Sequence, residues 1–365
     1  MPEDTRKTMS DLDVLDGIPD PVILLNSKRR VVRINRAALN FFDMAFQGRD
    51  LAFLIRHPNV LSAVDATLSG GGAQREDISI AQDVTRQFTV HVSPMRIERH
   101  TDGLGAMVAM HDVTAARNAE EMRADFVANV SHELRSPLSS LVGFIETLRG
   151  VASDDPAAQK RFLTIMESEA QRMTRLIGDL LSLSRVEADE HIPPEDYVRL
   201  SDLLGSVVDS LSVRAAKHRM GIDLEIQPNL PAVIGEQDEL VMVFQNLVTN
   251  AISYGREGTR ISVTAKTVDR IPNLGDPGVA VCVADIGEGI APDQIPRLTE
   301  RFYRVDKGRS RSMGGTGLGL AIVKHIVSRH RGRLAIESKL GVGSRFTVYL
   351  PHDGTGARSK PANAP

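Results

Sequence analysis

In the first third of the chain, apolar and polar residues alternate over short runs, PVILLN, VVRIN, EDISIAQ, RQFTVHVSPMRI and LGAMVAMHDVT. The two-residue period marks them as strands. Gly-rich or charged turns separate them, and AALNFFDMAF, after the second run, predicts a helix led by Asn35. Residues 12–114 are therefore expected to form a small α+β domain with an antiparallel sheet.

Near Ala115 the pattern changes. Val127, Leu134, Leu141 and Leu148 interleave with Val130, Pro137, Phe144 and Val151 in steps of three or four, the seam of a helix bundle. A second such series runs from Pro156 to Glu190 through Phe162, Met166, Met173, Leu176, Leu180 and Leu183, and VASDDP between them carries turn and N-cap residues. Residues 115–192 thus predict a helical hairpin. Its stripe is hard to cover alone, so a homodimer closing a four-helix bundle is expected.

HIPPEDY then breaks the helix, because Pro193 and Pro194 cannot continue it. Over 198–352 the elements alternate as helix 201–219, strand 221–226, helix 236–254, strands 260–266 and 279–285, helix 318–331, and strands 333–338 and 344–350. That order reads as an α/β sandwich with helices layered on one sheet. Residues 353–365 have no apolar periodicity and are expected to be disordered. The fold class is multidomain α+β.

Composition narrows the function. The 365 residues suit two or three domains, and 42% apolar with 25% charged residues is the balance of a soluble globular chain. The formal net charge is −3, no sustained basic block occurs and aromatics are only 4%, so direct nucleic-acid binding is not expected. The longest uncharged stretch, Leu240 to Gly255, is interrupted by polar residues and does not read as a membrane span. Without a signal peptide either, the expected location is cytoplasmic. The single cysteine, Cys282, lies in the apolar run VAVCVAD and is expected to be a buried small hydrophobe.

Three constellations carry candidate chemistry. With Val127 at heptad position a and Val130 at d, His132 falls at f, opposite the seam and toward solvent. Glu133 adjoins it, Ser136 lies one turn on along the same face, and Pro137 weakens the hydrogen-bond ladder there. A neutral imidazole has a nucleophilic nitrogen near pH 7, and Glu133 is the group placed to orient or deprotonate the other nitrogen. In NLVTNAISY, Asn246 and Asn250 share a helix face, and their amide oxygens suit a Mg²⁺ that also holds phosphate. In DIGEGI, Asp285 ends a strand while Gly287 and Gly289 permit close backbone approach; GGTGLGL puts free N–H groups at a helix start, where phosphate oxygens bind. Alone, each fits a plain surface or turn, and no P-loop motif is present.

Together they are more specific. FVANVSHELRSPL closely resembles the H-box of histidine kinases, whose histidine accepts the γ-phosphoryl group of ATP. The asparagine pair, DIGEGI, LTERFYR and GGTGLGL resemble, in order, the N, G1, F and G2 boxes of the histidine-kinase ATP-binding domain, a Bergerat fold. The first domain resembles a PAS sensor domain. RADFVANVSHELRSPLSSLVGFIETLRG and RFLTIMESEAQRMTRLIGDLLSLSRVE look most like phosphate-regulon sensor kinases.

The resemblance implies autophosphorylation of His132 from Mg-ATP, transfer to an aspartate of a response regulator, and phosphatase activity aided by Ser136. It implies that Asp285 holds the adenine amine, Tyr254 packs near the base, Asn246 and Asn250 serve Mg²⁺, and Arg304 lies near the phosphates. Gly315, Gly317 and Gly319 would hinge a lid spanning about 305–316. Three residues depart from the family pattern: Ser253 for Lys or Arg, Thr299 for Phe, and Ser136 for Thr. The first two keep open an alternative, a PAS-containing pseudokinase that binds partners or nucleotide without turnover. Haem on His57, His91, His100 or His111 is a further possibility for the sensor domain, with ordinary core or surface roles preferred.

Overall fold

The computed structural model describes residues 11–43, 47–81, 85–96, 104–152, 154–305 and 315–352. Packing divides the chain into two units, Met1–Ala128 and Asn129–Pro365.

In the first unit, β1 (Val22–Asn26), β2 (Val31–Ile34), β3 (Gln74–Ile80), β4 (Arg86–Arg96) and β5 (Leu104–Asp112) form one antiparallel sheet ordered β2-β1-β5-β4-β3. A short α1 (Asp11–Asp16) precedes it, and α2 (Arg36–Phe42) and α3 (Pro58–Leu68) lie between β2 and β3. Helix α3 packs on β3, β4 and β5 with Val60, Ala63, Val64 and Thr67 buried. Opposing them in the core are Phe88, Val90, Val108 and Met110. Helix α3 has no counterpart among the elements expected from sequence, although Pro58 at its first turn and the i, i+3, i+4, i+7 series mark a helix start and an apolar face.

Asn35 holds this unit's entry segment. Its side-chain oxygen accepts from Ala38 N, capping α2, and from Val22 N, both at 2.9 Å. Its amide nitrogen donates to the carbonyls of Leu15, Ile18 and Asp20. An aliphatic replacement would strand several buried backbone groups, at about 1–3 kcal/mol each.

Helix α4 (Thr114–Arg149) and α5 (Pro156–Ala188) form the expected hairpin. Asp155 caps α5, accepting from Ala157 N and Ala158 N at 3.0 Å. Pro137, Leu176 and Leu183 are buried on the seam, and the rings of Phe144 and Phe162 meet across it at 5.4 Å. Val151, expected on the seam, is 96% exposed because α4 ends two residues earlier. A second apolar stripe is uncovered: Leu138, Val142 and Ile145 on α4, and Leu163, Ile177 and Leu181 on α5.

The rest is a sandwich. Strands β7 (Gly221–Ile226), β9 (Arg260–Val268), β10 (Gly278–Ala284), β11 (Arg333–Lys339) and β12 (Gly343–Pro351) form a sheet ordered β11-β12-β10-β9-β7, parallel only between β7 and β9. Helices α6 (Leu200–Lys217), α7 (Gln237–Tyr254) and α8 (Gly319–Arg329) accompany it, α7 packing against both others and burying Leu240, Phe244 and Leu247. The expected elements are all present, within three residues at either end. A two-residue pair, β6 (Tyr197–Val198) with β8 (Val233–Ile234), was not foreseen, being too short to show a period. Cys282 is only half-buried, because along β10 it alternates away from buried Val281 and Val283.

Helix α5 packs along α8. Around this contact Arg301 bonds Glu187 at 2.5 Å, and His325 lies 3.7 Å from Glu187 and 3.4 Å from Glu190. Arg329 Nε donates to the carbonyls of Asp189 and Ile192, binding the proline-containing linker to α8. The expected disordered tail, 353–365, lies outside the described residues.

Candidate active site

A cavity of about 490 Å³ opens beside α7, the loop after β10 and the start of α8, with α5 closing another side. Its size suits a drug-sized ligand. Because α7 turns its apolar stripe to the core, the opposite face is left to line the cavity, bringing Asn246, Asn250, Ser253 and Tyr254 together. Asn246 Nδ2 donates to Met242 O at 2.9 Å, which turns Oδ1 toward Gly319. A Cβ on Gly319 would stand 2.6 Å from that oxygen, so any larger residue would displace it.

Asp285 follows the end of β10 and also lines the cavity. Its backbone N–H donates to Ser344 O at 2.9 Å, and Ser344 N–H reaches its Oδ1 at 3.4 Å. Burial pushes its carboxyl up to about 6, the Ser344 N–H opposing in part. Thus the charged form is present at neutral pH but is held in a dry setting, where a donor on a ligand is strongly attracted.

Two glycines shape the walls through left-handed backbone. Gly289 has φ +70°, and a Cβ there would meet Lys339 O at 2.1 Å. Gly317 has φ +76°, with Phe302 backbone 2.9 Å from the same hypothetical atom, and its carbonyl accepts from Phe302 N at 2.9 Å. Gly315, Gly317 and Gly319, expected to hinge a lid, line the cavity, whereas Gly287 is set back, bridged to Gly255. Most of the anticipated lid, residues 306–314, lies outside the described residues.

The hairpin residues are arranged differently. His132 and Ser136 are exposed on α4 and do not line the cavity. Glu133, expected to orient His132, has its carboxylate 2.7 Å from Arg172 and 3.5 Å from Arg304, two arginines with little exposure. Arg304 lines the cavity as well, so one ion cluster joins the helix bearing His132 to the cavity wall. Thr316 donates to Asp179 at 2.6 Å, and burial raises the Asp179 carboxyl above its ordinary range.

Arg172, Arg175, Asp179, Arg214 and Thr316 were not singled out from the sequence. Arg172, Arg175 and Asp179 each sit beside a seam residue, Met173, Leu176 and Leu180, as many solvated helix charges do, so for all five the juxtaposition is tertiary. Of the departures, Ser253 lines the cavity, while Thr299 lies apart in a groove with Pro296 and Lys324. In the first unit His111 Nδ1 is 2.9 Å from Asp20, His91 is exposed, and His100 is outside the described residues. Among the described residues, no cluster of three or more His, Cys, Asp or Glu side chains is placed to hold a metal ion.

Residues 122–189 match the His Kinase A (phospho-acceptor) domain family, and residues 235–354 match the histidine kinase-, DNA gyrase B- and HSP90-like ATPase family. The phosphate regulon sensor protein PhoR of Pseudomonas aeruginosa is 36% identical over 339 residues, covering 92% of this chain and 72% of that protein. The sensor-like histidine kinase SenX3 of Mycolicibacterium smegmatis is 38% identical over 257 residues, covering 70% of this chain and 65% of that protein. A solved structure of histidine kinase ThkA in complex with response regulator protein TrrA aligns at 22% identity with a TM-score of 0.49, covering 93% of this chain and 97% of that one.

Proposed function

This chain belongs to the sensor histidine kinases, and from that premise we propose that it autophosphorylates His132 from Mg-ATP and passes the phosphoryl group to an aspartate of a response regulator. The observation that carries the reading is the cavity, where a largely buried carboxylate, a pair of helix asparagines and a glycine loop at a helix start converge on one ligand-sized space. Asp285 would accept from the adenine amine, and Tyr254 would cover the base. N–H groups of the loop from Gly315 to Gly319 would receive phosphate oxygens. Asn246 and Asn250 would hold the Mg²⁺ that travels with the triphosphate, whose part is to neutralise charge on its oxygens. The fixed orientation of Asn246 Oδ1 fits that task.

Asn250→Ala is expected to weaken Mg-ATP binding and slow autophosphorylation together, each by about tenfold or more, through loss of one ligand oxygen. Calorimetric binding and labelled-phosphate uptake check the two quantities, and an unchanged pair would return Asn250 to the status of a surface residue.

The uncovered stripe on α4 and α5 supports a homodimer closing a four-helix bundle. Light scattering on the full chain at micromolar concentration should give twice 39.8 kDa, and a monomer mass would contradict the bundle. The order of the first sheet supports a PAS-like sensor over 12–114, with the hairpin at 115–192 and the ATP-binding sandwich at 198–352. Similarity to the phosphate regulon sensor supports a phosphate-responsive role. Among the described residues no helix is long and apolar enough to cross a membrane, and the reading places the kinase parts in the cytoplasm. The alternative of a non-catalytic scaffold predicts no acid-labile, base-stable phosphate after incubation with labelled ATP.

A further inference from the structure

A nucleoside triphosphate brings about four negative charges to its site, and these need cations or N–H donors. Helix α7, which lines the cavity with Asn246, Thr249, Asn250, Ser253 and Tyr254, has no Lys or Arg anywhere in QDELVMVFQNLVTNAISY. The wall also bears three carboxylates, Asp179, Asp285 and Glu288, which repel phosphate. Three arginines line the same space: Arg175, Arg214 and Arg304. Arg304 is engaged with Glu133, and Arg175 acts on the buried Asp179 carboxylate. Among the described residues Arg214 makes no ion pair or hydrogen bond, and it is exposed.

Its position is set by the fold. Helices α6 and α7 pack together and end at the same edge of the sheet: a Cβ on Gly255, just after α7, would stand 2.4 Å from the Met220 side chain, just after α6. Arg214 is one turn from the end of α6 and Ser253 one residue from the end of α7, so both look into the cavity from adjacent helix ends. A guanidinium offers several donors in a fixed fork that matches phosphate oxygens.

We propose that Arg214 binds the polyphosphate of the nucleotide, supplying from α6 the positive charge that α7 lacks at Ser253. This rests on the reading of the cavity as an ATP site.

The test is equilibrium binding of Mg-ATP and of adenosine to the full-length chain, for wild type, Arg214→Ala, Arg214→Lys and the double variant Arg214→Ala with Ser253→Lys. Arg214→Ala should weaken Mg-ATP about tenfold, the effect of one charge-assisted hydrogen bond, and leave adenosine binding unchanged. Arg214→Lys should keep only part of the affinity, since an ammonium retains the charge but not the fork, and lysine at 253 should restore part of the ATP binding lost in Arg214→Ala by offering a cation from the neighbouring helix end. Arg214→Ala binding ATP like wild type overturns the proposal, as does an equal loss for ATP and adenosine, which would report a damaged cavity. Failure of the wild type itself to bind ATP overturns the reading of the cavity, and the proposal falls with it.

Discussion

Replacing His132 by glutamine should yield a chain that binds Mg-ATP with unchanged affinity and incorporates no phosphate, a fall of more than about a thousandfold to background. Two observations motivate the split. The ring is exposed on α4 and is not among the cavity-lining residues, so nucleotide contacts do not depend on it. Glutamine keeps the length, polarity and helix tolerance of the position but has no nucleophilic nitrogen, since its amide lone pair is delocalised into the carbonyl. Helicity by circular dichroism should therefore be preserved. Labelling with γ-phosphate-labelled ATP, followed by acid and base stability of the product, reads the result. Residual acid-labile phosphate on the variant would remove His132 as acceptor.

The second large effect is expected at Asp285, where asparagine should weaken ATP binding about a hundredfold. The substitution is nearly isosteric, so Ser344 and the end of β10 should keep their places, but it exchanges a charged acceptor for a group that also carries donors. Bonds to a charged partner are worth about 1.5–3 kcal/mol, and an amide facing the adenine amine adds an unsatisfied donor to that loss. A pH dependence accompanies it. Since burial raises the carboxyl to about 6, the acceptor is fully charged at pH 8 and about nine-tenths protonated at pH 5. Only the charged form is an unqualified acceptor, so wild-type affinity should fall about tenfold as pH drops from 8 to 5, whereas the asparagine variant should lose this dependence. An Asp285→Asn chain with wild-type affinity, or the same pH profile in both, would remove Asp285 from base recognition.

Legibility from sequence followed the range of the interactions. Strand β7, Gly221–Ile226, coincides residue for residue with its sequence pattern, and α7 does so to within one residue, because each carries its own period and its own stops. The pair β6 and β8 has two residues per strand and therefore no period, and Val151 was lost from the seam because helix ends depend on local capping more than on the heptad. At the site the motif residues Asn246, Asn250, Tyr254, Asp285 and Arg304 do line one cavity. What local pattern could not show was that α5 contributes Asp179 and Arg175 to the same space, or that Glu133 is drawn to Arg172 and Arg304. Glu133 and Arg172 meet across the hairpin, 39 residues apart, while Arg304 with Glu133 and Thr316 with Asp179 join the hairpin to the sandwich, so no local pattern carries them.

That side of the cavity is also fastened differently from the others. Helix α7 is held to its sheet by fully buried Leu240, Phe244 and Leu247, each worth about 1.5–3 kcal/mol, and cannot leave without opening the core. Around the contact of α5 with α8 lie Arg301 with Glu187, His325 between two glutamates, and Arg329 on two carbonyls. Partly exposed ion pairs of this kind contribute about 1 kcal/mol or less each, and dissolved salt screens them over about 8 Å at physiological strength. Water and counterions can take over these bonds one by one. The α5 side of the cavity is thus the side where partly exposed charges contribute to the fastening, and its strength should depend on dissolved salt more than that of the wall built on α7.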